Sequence, residues 1–277
     1  MKKILEVKHL IVSPLSSPRK YLVNDISFDL YPGRTTCIVG ESGSGKSLTA
    51  LSITKLLSQQ LKQEGQIFFK GKNISSLSND DIRPLRGKSI AMIFQEPMTS
   101  LNPVLTIGDQ IKEALKVHFD FDKKLLDQKV ASLLNDVGIS SERISSYPDE
   151  LSGGQRQRVM IAMSISCEPS ILIADEPTTA LDVTVQAQII KLLQQLKKEM
   201  RMTMLFITHD FGLVEDIADD VIVMYQGKIV EKGSVLAVLK TPRHPYTKAL
   251  LQCVPDAKGI KKLKSIKYEN LDRELVF

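Results

Sequence analysis

The segment Gly40-Glu41-Ser42-Gly43-Ser44-Gly45-Lys46-Ser47 restricts this chain more than any other feature, because few backbones can accommodate it. It fits the pattern G-x-x-x-x-G-K-[ST] in full. A strand is predicted ahead of it at Thr35 to Val39, which holds the apolar run Cys37-Ile38-Val39, and Leu48, Leu51 and Leu56 behind it predict the start of a helix. Glycines let the backbone curl so that successive N–H groups converge on phosphate oxygens at the positive end of a helix dipole. Lys46 then supplies a point charge to the β- and γ-phosphates, and the Ser47 hydroxyl suits Mg2+. A Gly/Ser-rich turn that merely holds a lysine would not require the strand and the helix on either side.

A second signal follows the apolar run Ile171-Leu172-Ile173-Ala174, where Asp175-Glu176 stands. An acid at the carboxyl end of a parallel strand lies at the edge of the sheet where ligands bind. Asp175 is expected to hold Mg2+ through its water shell, and Glu176 to polarise the attacking water. The long stretch between Lys46 and Asp175 requires a substantial insertion.

The remaining pattern describes an α/β chain. Ile26, Phe28 and Leu30 alternate with polar neighbours, and Gln66 to Lys70 also reads as a strand, so the beginning is expected to form an antiparallel β layer. Ser13 to Pro18 reads as a turn or loop. Leu126, Val130, Leu133, Leu134 and Val137 form a helical stripe that Gly138 would stop, and Val185, Ile189, Leu192, Leu193 and Leu196 form another. Ile171–Ala174 and Met204–Ile207 suit strands of a parallel sheet covered on both faces.

Composition narrows the class. At 277 residues with 43% hydrophobic and 25% charged residues, the chain is globular and long enough for one to two domains. The net charge of +5 does not call for nucleic acid, and no block of Lys/Arg interrupts the folded region. No apolar run has a membrane-spanning length; the best, Val159 to Ile165, contains Ser164. Charges at Lys2, Lys3, Glu6 and Lys8 occupy the place where a signal peptide needs apolar residues, so the chain is expected neither to cross a membrane nor to be exported. Cys37, Cys167 and Cys253 are odd in number and far apart, which disfavours disulfides and zinc; Cys37 is expected to be a buried strand thiol in a reducing cytoplasm.

Leu151-Ser152-Gly153-Gly154-Gln155 lies in the insertion, ahead of a helix expected to begin near Arg156. A hydroxyl and two glycines at a helix start make a second anion-binding site. One nucleotide needs only one such site, so the second makes sense if it closes over a nucleotide held by another subunit. This segment resembles the signature of ATP-binding cassette (ABC) ATPases. The order of the flanking elements agrees: Gln95 in Phe94-Gln95-Glu96-Pro97 resembles the Q-loop glutamine, Ala180-Leu181-Asp182 the D-loop, and His209 in Thr208-His209-Asp210 the switch histidine.

The resemblance implies an α/β fold of the P-loop NTPase, ABC ATPase type, with an N-terminal antiparallel β layer and an inserted α-helical subdomain at about residues 97–165. It also implies an ATPase with Glu176, His209 and Gln95 as catalytic residues. ATP would be held by Gly40, Glu41, Ser42, Gly43, Ser44, Gly45, Lys46 and Ser47. Mg2+ would be held by Ser47, Gln95 and Asp175. Leu151 to Gln155 would contact the ATP of the partner subunit, near Asp182. His209 would stabilise charge on the γ-phosphate; His9, His118 and His244 read as structural or surface residues. The family stacks adenine on an aromatic ahead of the loop, yet its spacing falls near Ser17. Tyr21 is the nearest aromatic, with a strand-face role as the alternative.

Two longer segments are more selective. Gln95 to Pro103 and Pro242-Arg243-His244-Pro245-Tyr246-Thr247 with Leu250-Leu251 resemble segments of ABC subunits for oligopeptide, dipeptide and nickel uptake. The cassette is expected over 1–255, with the C-terminal motif at about 240–255 and a short charged tail at 256–277. The resemblance implies a peripheral subunit on the cytoplasmic face of the membrane. Its partners would be a second ATPase subunit, two permeases and an extracytoplasmic substrate-binding protein, with no nucleic acid. Peptide is the first cargo expected, nickel or a metal chelate the second. A soluble ABC ATPase acting on DNA or ribosomes stands further off, because such chains usually carry a long coiled-coil insertion or a second cassette. With only Cys253 in the C-terminal region, no iron–sulfur cluster is expected.

Overall fold

Alternating apolar and polar residues at the beginning of the chain produce an antiparallel sheet. The computed structural model describes residues 2–95, 100–179 and 181–253, in two units: Met1–Ser75 with Leu205–Phe277, and Ser76–Met204. In the first unit β1 (Leu5–Pro14), β2 (Val23–Leu30), β4 (Leu61–Phe69) and β5 (Lys72–Asn73) lie in the order β2-β1-β4-β5. Their inward residues Leu5, Val7, Leu10, Val12, Ile26, Phe28 and Ile67 are buried, each side chain worth roughly 1.5–3 kcal/mol when removed from water.

Two boundaries differ from the sequence expectation. β4 begins at Leu61 rather than Gln66, and β1 continues through Pro14 into the segment read as a loop. The added residues pair with one another, Ser13 with Lys62 and Pro14 with Leu61. Leu61 to Gly65 are largely solvated and so lack the apolar alternation by which a half-buried strand is recognised. The register of β1 against β4 shifts between Lys8 and Ile11, where His9 adopts φ 50°. His9 points into solvent and pairs with Asp25 at 2.8 Å, a surface role as expected.

The same unit carries β3 (Thr35–Val39), β8 (Thr203–Thr208, entering from the second unit), β9 (Asp220–Tyr225) and β10 (Lys228–Ser234), in the order β10-β9-β3-β8. β3 runs parallel to β9, from Thr36 opposite Asp220 to Val39 opposite Val223. Arg34 fixes that register with a bidentate pair to Asp220 at 2.8 and 2.9 Å, while the Thr35 N–H donates to Asp219 at 2.7 Å. Cys37 is fully buried in β3, and burial pushes its thiol far up. After the phosphate loop the helix Lys46–Thr54 ends at Lys55, a left-handed C-cap. Leu56 lies beyond it and is exposed, so it does not continue the helical face expected of it.

The second unit contains β6 (Ile90–Ile93) parallel to β7 (Ile171–Asp175), both apolar almost throughout. Between them stand the helices Ile107–Lys116, Lys123–Asp136 and Gly153–Ile165. The helix Val183–Glu199 follows β7. Gly138, at φ 75°, ends the second of these helices as its position in the sequence suggests. Thr106 and Asp122 cap two of the helix starts by accepting the N–H groups of Asp109 and Leu125. Among the described residues no helix is long and apolar enough to cross a membrane.

One helical glycine tests this packing. A Cβ on Gly108 would lie 2.5 Å from Ile144 Cγ1 and 2.6 Å from the Ile144 carbonyl oxygen. Alanine ordinarily gains ~1 kcal/mol over glycine inside a helix, but here overpacking dominates, and Gly108→Ala should lose about 2 kcal/mol. Urea denaturation of the full chain measures this; a stabilised variant would mean that Ile144 yields freely.

Candidate functional site

The phosphate loop is shaped by what crowds it. A Cβ on Gly40 would collide with the Met224 carbonyl oxygen at the end of β9, and one on Gly45 would lie 2.8 Å from the Leu22 carbonyl oxygen. Gly43 and Gly45 hold φ values of 80° and 99°, conformations natural only to glycine. The Ser44 N–H donates to the Glu41 carbonyl at 3.2 Å, and the Gly227 N–H donates to the Ser44 carbonyl at 3.1 Å. The loop is thus tied to the turn that follows β9.

Within that curl the Lys46 ammonium is buried and donates to the Gly40 and Glu41 carbonyls at 2.8 and 2.9 Å. The Ser44 hydroxyl is buried without a hydrogen-bond partner among the described residues, a group that water or a ligand oxygen must satisfy. An orphaned hydroxyl, a buried ammonium and glycine-only backbone angles fit a polyphosphate. Tyr21 is half exposed and lies outside the strands, which excludes the strand-face role and leaves its ring open. Its neighbour Leu22 is the residue whose carbonyl abuts Gly45. His209 follows β8 at an exposed corner, where Asp210 caps the turn Phe211–Leu213.

In the second unit Asp175 and Glu176 stand at the carboxyl end of β7, both buried. Glu176 adopts φ 46°, a left-handed conformation costing of order 1 kcal/mol in a non-glycine residue and concentrated at functional sites. Its Oε2 accepts from Gln95 Nε2 at 3.2 Å and from Thr179 Oγ1 at 2.9 Å. The structure therefore brings together Gln95 and Glu176, which the sequence named separately. It adds Thr179, to which no sequence pattern points. Gln110 was also missed: buried on its helix, it accepts from the Asn102 N–H at 2.9 Å and donates to the carbonyls of Asn102 and Leu105 at 3.0 Å each. A glutamine on the buried stripe of an amphipathic helix was the available signal. Glu96, Pro97, Met98 and Thr99 of the longer motif, and Ala180, lie outside the described residues, as does the tail beyond Cys253.

The signature segment forms a helix N-terminus, and the helix starts at Gly153 rather than near Arg156. Ser152 is the cap: its hydroxyl accepts from the Gln155 N–H at 3.3 Å while Gln155 Oε1 accepts from the Ser152 N–H at 2.9 Å. This reciprocal box draws both glycines into the first turn. Ser152 and Gly153 face solvent, whereas a Cβ on Gly154 would lie 2.6 Å from Val185. Asp182 caps the helix Val183–Glu199 by accepting from the Val185 N–H at 3.0 Å. It therefore has a local structural task as well as the one inferred from its motif.

Comparisons with known proteins identify the family. Residues 23–179 match the family model described as ABC transporter, and residues 230–274 match the C-terminal region of oligopeptide/dipeptide transporters. The chain is 49% identical over 260 residues to the dipeptide transport ATP-binding protein DppD of Bacillus subtilis, covering 92% of this chain and 78% of that protein. It is 48% identical to the glutathione import ATP-binding protein GsiA of Escherichia coli, covering 94% of this chain and 43% of that one. Among solved structures, cbiO1 of Clostridium perfringens, part of the transporter complex cbiONQ, superposes with a TM-score of 0.76 at 29% identity, covering 87% of this chain and 92% of that chain. The dimeric ABC cassette MJ0796 bound to ADP and Pi superposes at 0.75 with 25% identity, covering 83% and 98%.

The crowding at Gly40 is directly testable. Gly40→Ala should weaken binding of a fluorescent ATP analogue by more than about 10-fold, because the loop must move away from Met224. Gly33→Ala also lies at positive φ, with nothing within 4 Å of the added Cβ. It should cost about 1 kcal/mol of stability and leave binding unchanged. Equal binding by both variants would dissociate the loop's shape from its function.

Proposed function

Since this chain belongs to the ABC transporter family and is an ATPase cassette, we propose that it is the ATP-hydrolysing subunit of a peptide importer, peripheral on the cytoplasmic face of the membrane. Its signature completes the ATP site of a second ATPase subunit, and two permeases and an extracytoplasmic binding protein carry the peptide. The observation that carries the cross-subunit reading is the signature itself. Ser152 and Gly153 present an exposed helix start whose N–H groups suit phosphate oxygens. Peptide as cargo is supported by the match of residues 230–274 and by the resemblance to a dipeptide transport protein.

The chain's residues divide the work. The loop N–H groups and the Ser44 hydroxyl receive phosphate oxygens, and the Lys46 ammonium transfers to them from the carbonyls of Gly40 and Glu41. Tyr21 is the aromatic available to stack on adenine, a contact of about 1–3 kcal/mol. Ser47, Gln95 and Asp175 are the residues that would hold Mg2+, whose chemistry when bound would be neutralisation of charge on the transferring phosphate. Glu176, fixed by Gln95 and Thr179, takes the proton of the attacking water as its oxygen closes on the γ-phosphorus. His209 donates to the γ-phosphate oxygens as the bond to ADP breaks.

Two variants test the scheme. Glu176→Gln keeps an oxygen for Gln95 and Thr179 but loses the base, so ATP should still bind while turnover falls about 100-fold or more; hydrolysis at the parental rate would remove Glu176 from its role. ATP shared between two signatures and two loops binds the closed dimer better than the monomer. In the Glu176→Gln background ATP should therefore produce a dimer by light scattering, and adding Ser152→Arg should abolish it with monomer binding retained. An ATP-independent dimer indifferent to Ser152→Arg would refute the cross-subunit reading.

A further inference from the structure

The segment Pro242 to Thr247 has no task in the scheme above, yet it reaches the phosphate loop. Tyr246 lies in the first turn of the helix Pro245–Cys253 and is fully buried. Its hydroxyl accepts a hydrogen bond from the Glu41 N–H at 3.2 Å. That N–H belongs to the same peptide unit as the Gly40 carbonyl, on which the Lys46 ammonium rests at 2.8 Å. A peptide unit is planar, so a hold on its N–H also orients its carbonyl. One end of the plane is fixed by Tyr246 and the other carries the lysine.

The tyrosine is itself held from three directions. Its ring packs on that of Tyr225, centroids 4.3 Å apart and tilted 38°. Its own N–H donates to His244 Nδ1 at 3.2 Å. The Glu231 carboxylate on β10 accepts the N–H groups of Arg243 and His244 at 2.8 and 3.0 Å, capping the approach to the helix. Burial keeps the His244 imidazole below its ordinary value, with Glu231 opposing, which favours the neutral ring that Nδ1 needs as an acceptor.

We propose that Tyr246 is a positioning residue for nucleotide binding: through the Gly40–Glu41 peptide it orients the carbonyl that places the Lys46 ammonium before phosphate arrives. The C-terminal segment is thereby a working part of the nucleotide site. This rests on the phosphate loop binding ATP.

Tyr246→Phe deletes the hydroxyl and keeps the ring, so the fold should survive. In the full chain, ATP-analogue titration should show Kd raised by about 3- to 10-fold, the range of one hydrogen bond. The KM for ATP should rise by a similar factor, with kcat within about twofold of the parent. Tyr225→Phe, altered in the same ring pair, should leave Kd at the parental value. A purely structural role for Tyr246 would lower the melting temperature of the nucleotide-free chain and leave Kd of the folded protein unmoved. Parental affinity in Tyr246→Phe, or an equal loss in Tyr225→Phe, would overturn the proposal. Failure of the parental chain to bind ATP would instead overturn the reading of the loop itself.

Discussion

Around Gly40 and Gly45 two backbone segments approach so closely that a side chain has no place, and much of the first unit is arranged to keep that approach. The end of β9 supplies the Met224 carbonyl and the chain entering β2 supplies the Leu22 carbonyl. The turn after β9, with Gln226 and Gly227 both at positive φ, joins the two. Gly227 donates to Ser44 and its carbonyl accepts from the Asn24 N–H at 2.8 Å. A single glycine thus clamps the loop to the start of β2. The Arg34–Asp220 pair sets the register that puts β9 at the correct height for this contact.

The second unit solves a different problem, how to keep a carboxylate both buried and oriented. Glu176 leaves β7 in a left-handed turn, and two neutral donors, an amide and a hydroxyl, hold its Oε2. The signature lies on the same unit, and there reciprocal capping by Ser152 and Gln155 fixes the helix start before any partner arrives.

The fold is most legible in the sequence where burial is complete. β3, β7 and β8 are buried at every position, and their observed bounds agree with the expected strands to within one residue. It is least legible where structure is made of solvated backbone or of single long-range hydrogen bonds. The first half of β4 carries Lys62, Glu64 and Gly65 and shows no apolar period, so only its pairing with β1 reveals it. The helix start at Ser152 is masked in the sequence because glycines suggest a loop, whereas the capping pair that overrides them depends on the spacing of Ser152 and Gln155. Tyr246 was visible as part of a motif, but its contact with Glu41 spans most of the chain and has no local signature.

The distribution of cysteines has a practical consequence. Cys37 and Cys167 are buried, and burial pushes both thiols up, away from the reactive thiolate. Cys253 is partly open and ends the helix that begins with Pro245 and Tyr246. The native chain therefore carries one preferred attachment point for a maleimide dye or a nitroxide, on the helix that reaches the phosphate loop. A spectroscopic reporter can be placed there without introducing or removing a single residue.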